Sequence, residues 1–233
     1  NILGVNITIP HKEAVIPFLD GLSEEAGLIG AVNTIVNEDG RLIGYNTDGE
    51  GYVRSLKREV GFDIKDKMVL ILGAGGAARG ILVGIVRCSP KGVIVANRTV
   101  ERAKVLVEGL KGHFPLVELI AIGLIPEALR DYLGKVDLLI NATSLGMRGE
   151  GMGLPLDVFP KGAVVSDIVY KPPCLPKAGR QAKTPLLQEA EERGLTTHGG
   201  LGMLVEQGAL SFKLWTGLDV STEVMRKAMR QIS

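Results

Sequence analysis

The stretch Met68–Gly80, MVLILGAGGAARG, decides the fold. Its leading apolar run predicts a buried strand, and the glycine-rich turn GAGGAA at 73–78 opens a helical pattern. The turn fits G-x-G-x-x-G/A, in which a first glycine allows the tight turn, a second admits a pyrophosphate and a third small residue lets the helix pack. A glycine turn kept only for packing is the alternative. The strand–turn–helix setting favours dinucleotide binding, with predicted contacts from Gly73, Ala74, Gly75, Gly76 and Ala77.

Strand and helix patterns alternate from Lys67 onward. Short apolar runs predict strands, and helical patterns follow the first two of them. The predicted strands are MVLILG, GVIVANR, LVELIAI, VDLLINAT and AVVSDIVY, and the helices are AARGILVGIVRC and TVERAKVLVEGL. Such alternation is typical of parallel βαβ units with both sheet faces buried. We therefore predict an α/β, doubly wound, Rossmann-like domain.

The end of the second strand indicates which dinucleotide binds. Enzymes that use NAD usually carry Asp or Glu there, to bond the ribose 2′-hydroxyl. This strand ends instead in Asn97, Arg98 and Thr99, with Arg102 one helical turn further on. A guanidinium suits a 2′-phosphate, which it can bond in bidentate fashion. We predict NADP as the cofactor, bound by these four residues; an Arg98 that is merely solvated is the alternative.

The two ends of the chain follow other patterns. ILGVNITI predicts a strand, PHKEAVIPFLDGL a short helix beginning at Pro10, and AVNTIVN-EDG-RLIGYN a hairpin. A helix is predicted from Thr47 or Asp48 to Gly61, and two amphipathic helices follow Gly199. We expect those last helices to return to the first segment. The predicted organisation is a smaller α/β domain of residues 1–48 and 201–233 beside the Rossmann-like domain of residues 49–200.

Composition excludes several classes of function. The 233 residues carry 27 basic and 26 acidic side chains, and only 4% of residues are aromatic. Nucleic acid and anionic membrane surfaces are therefore not expected partners. The scattered histidines predict no metal site, and no apolar stretch reads as a membrane span. Cys88 and Cys174, far apart, predict reduced thiols in a cytoplasmic protein. Because the first residue is Asn1 and the sequence starts in a strand pattern, we expect further residues to precede it.

The motifs together resemble shikimate dehydrogenase over nearly the whole chain. The matching pieces, in the family's order, are GVNITIPHKE, GAVNTI, GYNTDGEG, GAGGAARG, ANRT, NATSLGM, DIVY and GLGMLVEQGALSF. The resemblance implies an enzyme of aromatic amino-acid biosynthesis that reduces 3-dehydroshikimate to shikimate with NADPH. It implies Lys12 and Asp48 as the catalytic pair. It further implies substrate contacts from Asn6, Thr8, Asn33, Tyr170 and Gln207, and cofactor contacts from Thr143, Ser144, Met147, Gly200 and Met203.

The chemistry of the reaction agrees with that pair. Hydride transfer to a ketone produces an alkoxide, which needs a proton and a nearby positive charge. A protonated Lys12 can supply both, and Asp48 can hold its ammonium in place. The neutral amides of Asn6, Asn33 and Gln207 suit the hydroxyl groups of a polyol substrate. A lysine that simply points into water is the alternative for Lys12.

Other activities stay open at the level of sequence. A quinate or dual quinate/shikimate dehydrogenase would share every motif. Glutamyl-tRNA reductase also joins a GAG turn to NRT, but it needs a nucleophilic cysteine and an RNA-binding extension, which are not evident. A ligand-sensing homologue would need no proton donor, so the presence of both Lys12 and Asp48 favours an enzyme. We expect this enzyme to be either a monomer or a homodimer.

Three features depart from the family pattern. An early segment with two substrate-binding hydroxyl residues does not occur in this sequence. Residues 171–183, KPPCLPKAGRQAK, are longer than usual and predict an exposed loop. His198, in HGGLGM, is interpreted as a solvated loop histidine.

Overall fold

The computed structural model describes residues 2–170 and 183–231. The first part of the chain forms a four-stranded mixed sheet of β1 (Gly4–Asn6), β2 (Gly21–Leu22), β3 (Thr34–Glu38) and β4 (Arg41–Tyr45), in the order β1-β3-β4-β2. The predicted hairpin is present, since β3 and β4 pair antiparallel around residues 39–40. Helix α1 (Glu24–Ile29) precedes β3, and α2 (Asp48–Val60) follows β4. Gly61 ends α2 in the left-handed conformation, as predicted.

A six-stranded parallel sheet forms from the later part of the chain. Its strands are β5 (Met68–Leu72), β6 (Gly92–Asn97), β7 (Glu118–Gly123), β8 (Leu138–Asn141), β9 (Val164–Asp167) and β10 (Thr196–Gly199), in the order β10-β9-β8-β5-β6-β7. Four helices connect these strands: α3 (Gly76–Val86), α4 (Val100–Lys111), α5 (Pro126–Leu133) and α6 (Pro185–Glu192). Counted from β5, this is the doubly wound Rossmann order, so the predicted fold class is confirmed.

Both faces of the parallel sheet are buried, which explains its continuous apolar strands. Val69 and Ile71 belong to the hydrophobic cluster that includes α3 and α4. Leu70 and Leu72 belong to a separate cluster that includes α5 and α6. Successive side chains of a strand point to opposite faces, so a strand with helices on both sides needs apolar residues at every position.

The helices α2 and α7 (Gly200–Thr216) lie between the two sheets and pack against each other. Helix α8 (Thr222–Gln231) packs on α7. α2 also packs on α3 so closely that a Cβ on Gly84 would lie 2.6 Å from the carbonyl oxygen of Gly49. Residue 48, at the start of α2, is thereby held next to the helix of the dinucleotide-binding unit. None of the helices in the described part of the chain is long and apolar enough to cross a membrane.

The helix predicted from Pro10 is wrong. Residues 12–15 form a turn, and only a 3-10 helix follows, at Ile16–Phe18. Pro17 has no N–H to donate to the carbonyl of Glu13, so an α-helix cannot close there. Lys12 is therefore not in the first turn of a helix of its own. Its stem lies instead against α3, where a Cβ on Gly76 would be 2.8 Å from the Lys12 Cβ.

Candidate active site

Lys12 and Asp48 contact one another between the two sheets. The Lys12 Nζ donates to Asp48 Oδ2 at 2.5 Å. The two side chains are only 12% and 4% exposed, so the ion pair is largely shielded from solvent. Salt therefore screens this pair less than it would screen an exposed one. The contact predicted from the sequence is thus present, and the lysine is not on the solvated surface.

Asn33 holds the other oxygen of Asp48. Its Nδ2 donates to Asp48 Oδ1 at 3.0 Å and to Thr47 Oγ1 at 2.8 Å, while Gln207 Oε1 lies 3.2 Å away. Asp48 is itself 2% exposed. A buried carboxylate needs donors at both oxygens, and here an ammonium and an amide supply them.

The predicted substrate contacts are brought together in part. Asn6, at the end of β1, donates through Nδ2 to Asn33 O, Thr34 Oγ1 and Ser211 Oγ. The Gln207 Nε2 donates back to Leu204 O of its own helix. The structure does not bring two other predicted residues into this network. Thr8 and Tyr170 are exposed and make no side-chain hydrogen bond among the described residues.

The glycine-rich turn has the geometry that a pyrophosphate requires. Gly73 has φ +108°, and a Cβ there would lie 2.9 Å from the Ala142 carbonyl oxygen. A Cβ on Gly75 would meet nothing within 4 Å, so the space before α3 is open. No described side chain caps α3, which leaves its first backbone N–H groups for phosphate oxygens. The residues present therefore fit a dinucleotide.

A cavity of about 390 Å³ lies at the carboxyl ends of β6 to β8. Arg98 and Asn97 line it on one side, and Thr143 and Ser144 on another. Its remaining walls are largely apolar: Leu124, Pro126, Leu129, Leu145, Met152, Gly153 and Leu154. Ligands of open α/β sheets bind outside this edge, at the point where the strand order reverses. The cavity therefore extends from Arg98, at the end of β6, to the loop at residues 143–144.

Arg102 points elsewhere. Its Nη2 lies 3.2 Å from Glu13 Oε1, and the other oxygen of Glu13 lies 3.5 Å from Arg79 Nε. Arg102 is not among the residues lining the cavity. Arg102 could contact a bound 2′-phosphate only if its guanidinium first moved away from Glu13. Thr99 begins α4 without a side-chain cap.

A buried carboxylate holds the loop after β8. Asp167 Oδ1 accepts from Asn141 Nδ2 at 2.9 Å, and Oδ2 accepts from Thr184 Oγ1 at 2.6 Å. Asn141 Oδ1 in turn accepts from the backbone N–H and hydroxyl of Thr143. Burial raises the pKa of the Asp167 carboxyl, and these hydrogen bonds oppose that rise. The network fixes the position of Thr143 relative to the glycine turn.

The remaining cofactor predictions differ in their surroundings. Gly200 starts α7 so close to β9 that a Cβ would lie 2.2 Å from the Ile168 carbonyl oxygen. Met203 is buried in the same hydrophobic cluster as Ala74. Met147 is 58% exposed beside the cavity loop. Cys174 and nearly all of the predicted loop at 171–183 lie outside the described residues.

His198 is not the solvated loop residue that the sequence suggested. It lies on β10, is 2% exposed, and contacts Ser166 Oγ through Nδ1 at 2.9 Å and Ser55 Oγ through Nε2 at 3.2 Å. The ring packs edge-on against Tyr52. Burial lowers the pKa of His198, with the carboxylate of Glu59 opposing the shift. The ring is buried because β10 pairs with β9. The sequence of β10, TTHG, has no apolar pattern that would predict this burial.

Protonation of His198 should destabilise the fold. Because its pKa is lowered in the folded state, the unfolded chain binds more protons, so the free energy of unfolding should fall as pH drops below about 6.5. We expect His198→Gln to remove this component. Urea unfolding of both proteins from about pH 8 to pH 5 checks it. The pH profiles should converge in acid; parallel profiles would show that His198 is not the group responsible.

The sequence did not point to Thr34 and Ser211, which are fully buried at the centre of the polar cluster. Their hydroxyl oxygens lie 2.7 Å apart. One signal was available. Ser211 follows Gln207 by four positions on a helix, and residues so spaced share a face.

A Rossmann sheet with an open glycine turn, beside a shielded lysine–aspartate pair, is the arrangement of a dinucleotide-dependent dehydrogenase. The chain is 46% identical over 228 residues to shikimate dehydrogenase (NADP(+)) of Geobacillus sp. strain WCH70, covering 97% of this chain and 77% of the relative. The chain belongs to the shikimate dehydrogenase family.

Family models and solved structures agree with this. The shikimate dehydrogenase substrate binding domain matches residues 1–35, shikimate / quinate 5-dehydrogenase residues 55–146, and the shikimate 5′-dehydrogenase C-terminal domain residues 200–230. Shikimate 5-dehydrogenase of Thermus thermophilus, in complex with NADP(H) and shikimate, superimposes with a TM-score of 0.82 at 37% identity, covering 99% of this chain and 79% of that chain. The Listeria monocytogenes enzyme, in complex with shikimate and NAD, gives 0.85 at 36% identity, covering 98% and 78%.

Proposed function

We propose that this protein catalyses the reversible NADP-dependent reduction of 3-dehydroshikimate to shikimate, in the cytoplasmic pathway to aromatic amino acids. The observation that carries the proposal is the buried Lys12–Asp48 pair, with the lysine stem against Gly76 at the start of the dinucleotide helix. Substrate and nicotinamide would meet at this place. The balanced charge of the chain supports small-molecule partners rather than nucleic acid or a membrane. The active protein in this proposal is a monomer or a homodimer.

The two sheets divide the work in this proposal. Residues 1–48 and 201–233 form the substrate-binding and catalytic domain, and residues 49–200 form the dinucleotide-binding domain. The four-stranded sheet and α7 supply the support for this division, because they carry Asn6, Asn33 and Gln207. α2 packs on both α7 and α3, and so links the two parts.

Each side chain has a definable task in the reaction. NADPH supplies the hydride when it is bound. Lys12 donates a proton from Nζ to the oxygen of the reduced carbonyl, and in the reverse direction neutral Lys12 accepts it. Asp48 keeps the ammonium aimed at that oxygen. The amides of Asn6 and Gln207 bond the substrate hydroxyls, and Asn33 joins them through Nδ2 on the side that Gln207 leaves when it gives up its contact to Asn33.

Arg98 should read the 2′-phosphate. Arg98→Ala should weaken NADPH binding by about 1.5–3 kcal/mol, the worth of a hydrogen bond to a charged group, with little effect on NADH. Fluorescence titration with both cofactors measures this. Arg193→Ala, an exposed arginine paired with Glu189 on α6, is the matched control. Equal losses for NADPH and NADH would assign Arg98 to some other role.

The activity itself is tested by following NADPH consumption with 3-dehydroshikimate and, separately, with 3-dehydroquinate. We expect turnover with 3-dehydroshikimate to be faster, and NADH to be a poorer reductant. A preference for 3-dehydroquinate would reassign the protein as a quinate dehydrogenase. Tight binding of shikimate without any turnover would indicate a sensor.

A further inference from the structure

A set of hydroxyl and amide groups stands behind the catalytic pair, and all of them except Asn6 are buried. It comprises Asn6, Asn33, Thr34, Thr47 and Ser211, from β1, the start of β3, the start of α2, and α7. We propose that the hydroxyl pair of Thr34 and Ser211 is a positioning device, which fixes the Asn33 amide and through it the carboxylate of Asp48. The inference rests on the proposed function for the role of Asp48.

The hydroxyl pair is fully buried and joins two distant parts of the chain. Thr34 and Ser211 are each 0% exposed, and their oxygens are 2.7 Å apart although 177 residues separate them in sequence. Ser211 has a single hydroxyl proton, which can go to Thr34 Oγ1 or to the Gln207 carbonyl at 3.0 Å; when Thr34 donates to Asn33, the Ser211 proton goes to Thr34 Oγ1. Burial of a hydroxyl is unfavourable unless it is hydrogen-bonded, so each of these groups depends on its partners.

Thr34 and the backbone of Thr47 together hold the oxygen of the Asn33 amide, and the Thr47 N–H sets which way the amide faces. Asn33 Oδ1 accepts from Thr34 Oγ1 at 2.9 Å and from the Thr47 backbone N–H at 2.9 Å. A rotated amide would turn its NH2 group towards that N–H, donor against donor. The Asn33 Nδ2 is therefore fixed on the side of Asp48.

Asn33 in turn sets the plane of the carboxylate. Asp48 Oδ1 accepts a hydrogen bond from Asn33 Nδ2 at 3.0 Å, and Oδ2 accepts one from Lys12. Asn33 is 1% exposed, so water does not replace a lost partner there. A chain of hydrogen bonds thus runs from α7 through Ser211, Thr34, Asn33 and Asp48 to the ammonium of Lys12.

Two pairs of variants test the device. Thr34→Val keeps the shape of the side chain and removes its hydroxyl, whereas Thr34→Ser retains the hydroxyl. Ser211→Ala is matched by Ser55→Ala, because Ser55 is equally buried and also lies within hydrogen-bond distance of a carbonyl of its own helix, that of Tyr52. We expect Thr34→Val and Ser211→Ala to lower kcat about tenfold, the factor for one ordinary hydrogen bond. Thr34→Ser and Ser55→Ala should keep the kcat of the wild type.

Counting binding sites by NADPH titration ensures that kcat refers to folded protein. The KM for NADPH should not change in any variant, since the device touches only the substrate side. A kcat near that of the wild type in Thr34→Val would overturn the proposal. So would an equal loss in Ser211→Ala and Ser55→Ala, which would reduce Ser211 to a structural role.

A second readout does not require activity. Hydrogen exchange of the Asn33 side-chain NH2, followed by NMR, should be slow in the wild type and in Thr34→Ser and faster in Thr34→Val. Unchanged exchange would refute the positioning role even in an inactive protein. An inactive wild type with the expected exchange pattern would refute the proposed function and leave the device in place.

Discussion

Replacing Lys12 by alanine should lower kcat for 3-dehydroshikimate reduction by about 10²–10⁴, the usual worth of a positioned acid–base group. In the proposed reaction the Lys12 ammonium is the cation next to the reacting carbonyl, and in the structure Asp48 contacts it at 2.5 Å. Removal leaves the alkoxide without its proton donor and without its positive charge. Steady-state kinetics with saturating NADPH measures the loss.

NADPH affinity should be nearly unchanged in Lys12→Ala, because the dinucleotide turn keeps its backbone. Lys104→Ala, an exposed lysine on α4, serves as the control and should retain full activity. A Lys12→Ala enzyme with normal kcat would return this lysine to a structural role.

Replacing Gly84 by alanine should destabilise the protein by about 3 kcal/mol, the upper part of the usual range for overpacking. The added Cβ would lie 2.6 Å from the Gly49 carbonyl oxygen and 2.8 Å from its Cα. Both are backbone atoms, so the helices α2 and α3 have to separate. Urea denaturation measures the change.

Gly109→Ala is the matched control, since a Cβ on that glycine of α4 would meet nothing within 4 Å. It should gain about 0.5–1 kcal/mol from helix propensity. Asp48 precedes Gly49, so separation of α2 from α3 should also lower the kcat of the folded Gly84→Ala protein. Equal stability of the two variants would contradict the close helix packing.

Local sequence patterns were sufficient for the dinucleotide unit. The apolar run at 68–72 and the glycine-rich turn at 73–76 lie within a few residues of one another, so their geometry follows from backbone freedom and strand periodicity alone. The hairpin around 39–40 and the end of α2 at Gly61 were equally local. Lys12 and Asp48 were found by resemblance, and the structure places them in contact.

Features that depend on distant partners could not be predicted in this way. The turn at Lys12 is not such a feature, because Pro17 is only five residues away and its missing N–H, which outweighs the surrounding helical pattern, could be read from the sequence. His198 is buried because β10 pairs with β9, and its short polar strand carries no signal of its own. The Thr34–Ser211 contact joins residues 177 positions apart, which no periodicity in one segment can reveal.

The most direct test of the catalytic pair is a double-mutant cycle on kcat for 3-dehydroshikimate reduction. The four proteins are the wild type, Lys12→Ala, Asp48→Asn and the double variant. Asp48→Asn keeps the shape but removes the charge that holds the ammonium, so this substitution should lower kcat when Lys12 is present and cause no further loss when Lys12 is already replaced. The double variant should therefore be about as slow as Lys12→Ala alone, as for residues that act as a unit. A loss equal to the sum of the two single losses, in free energy, would show that the two residues act separately and would contradict the account.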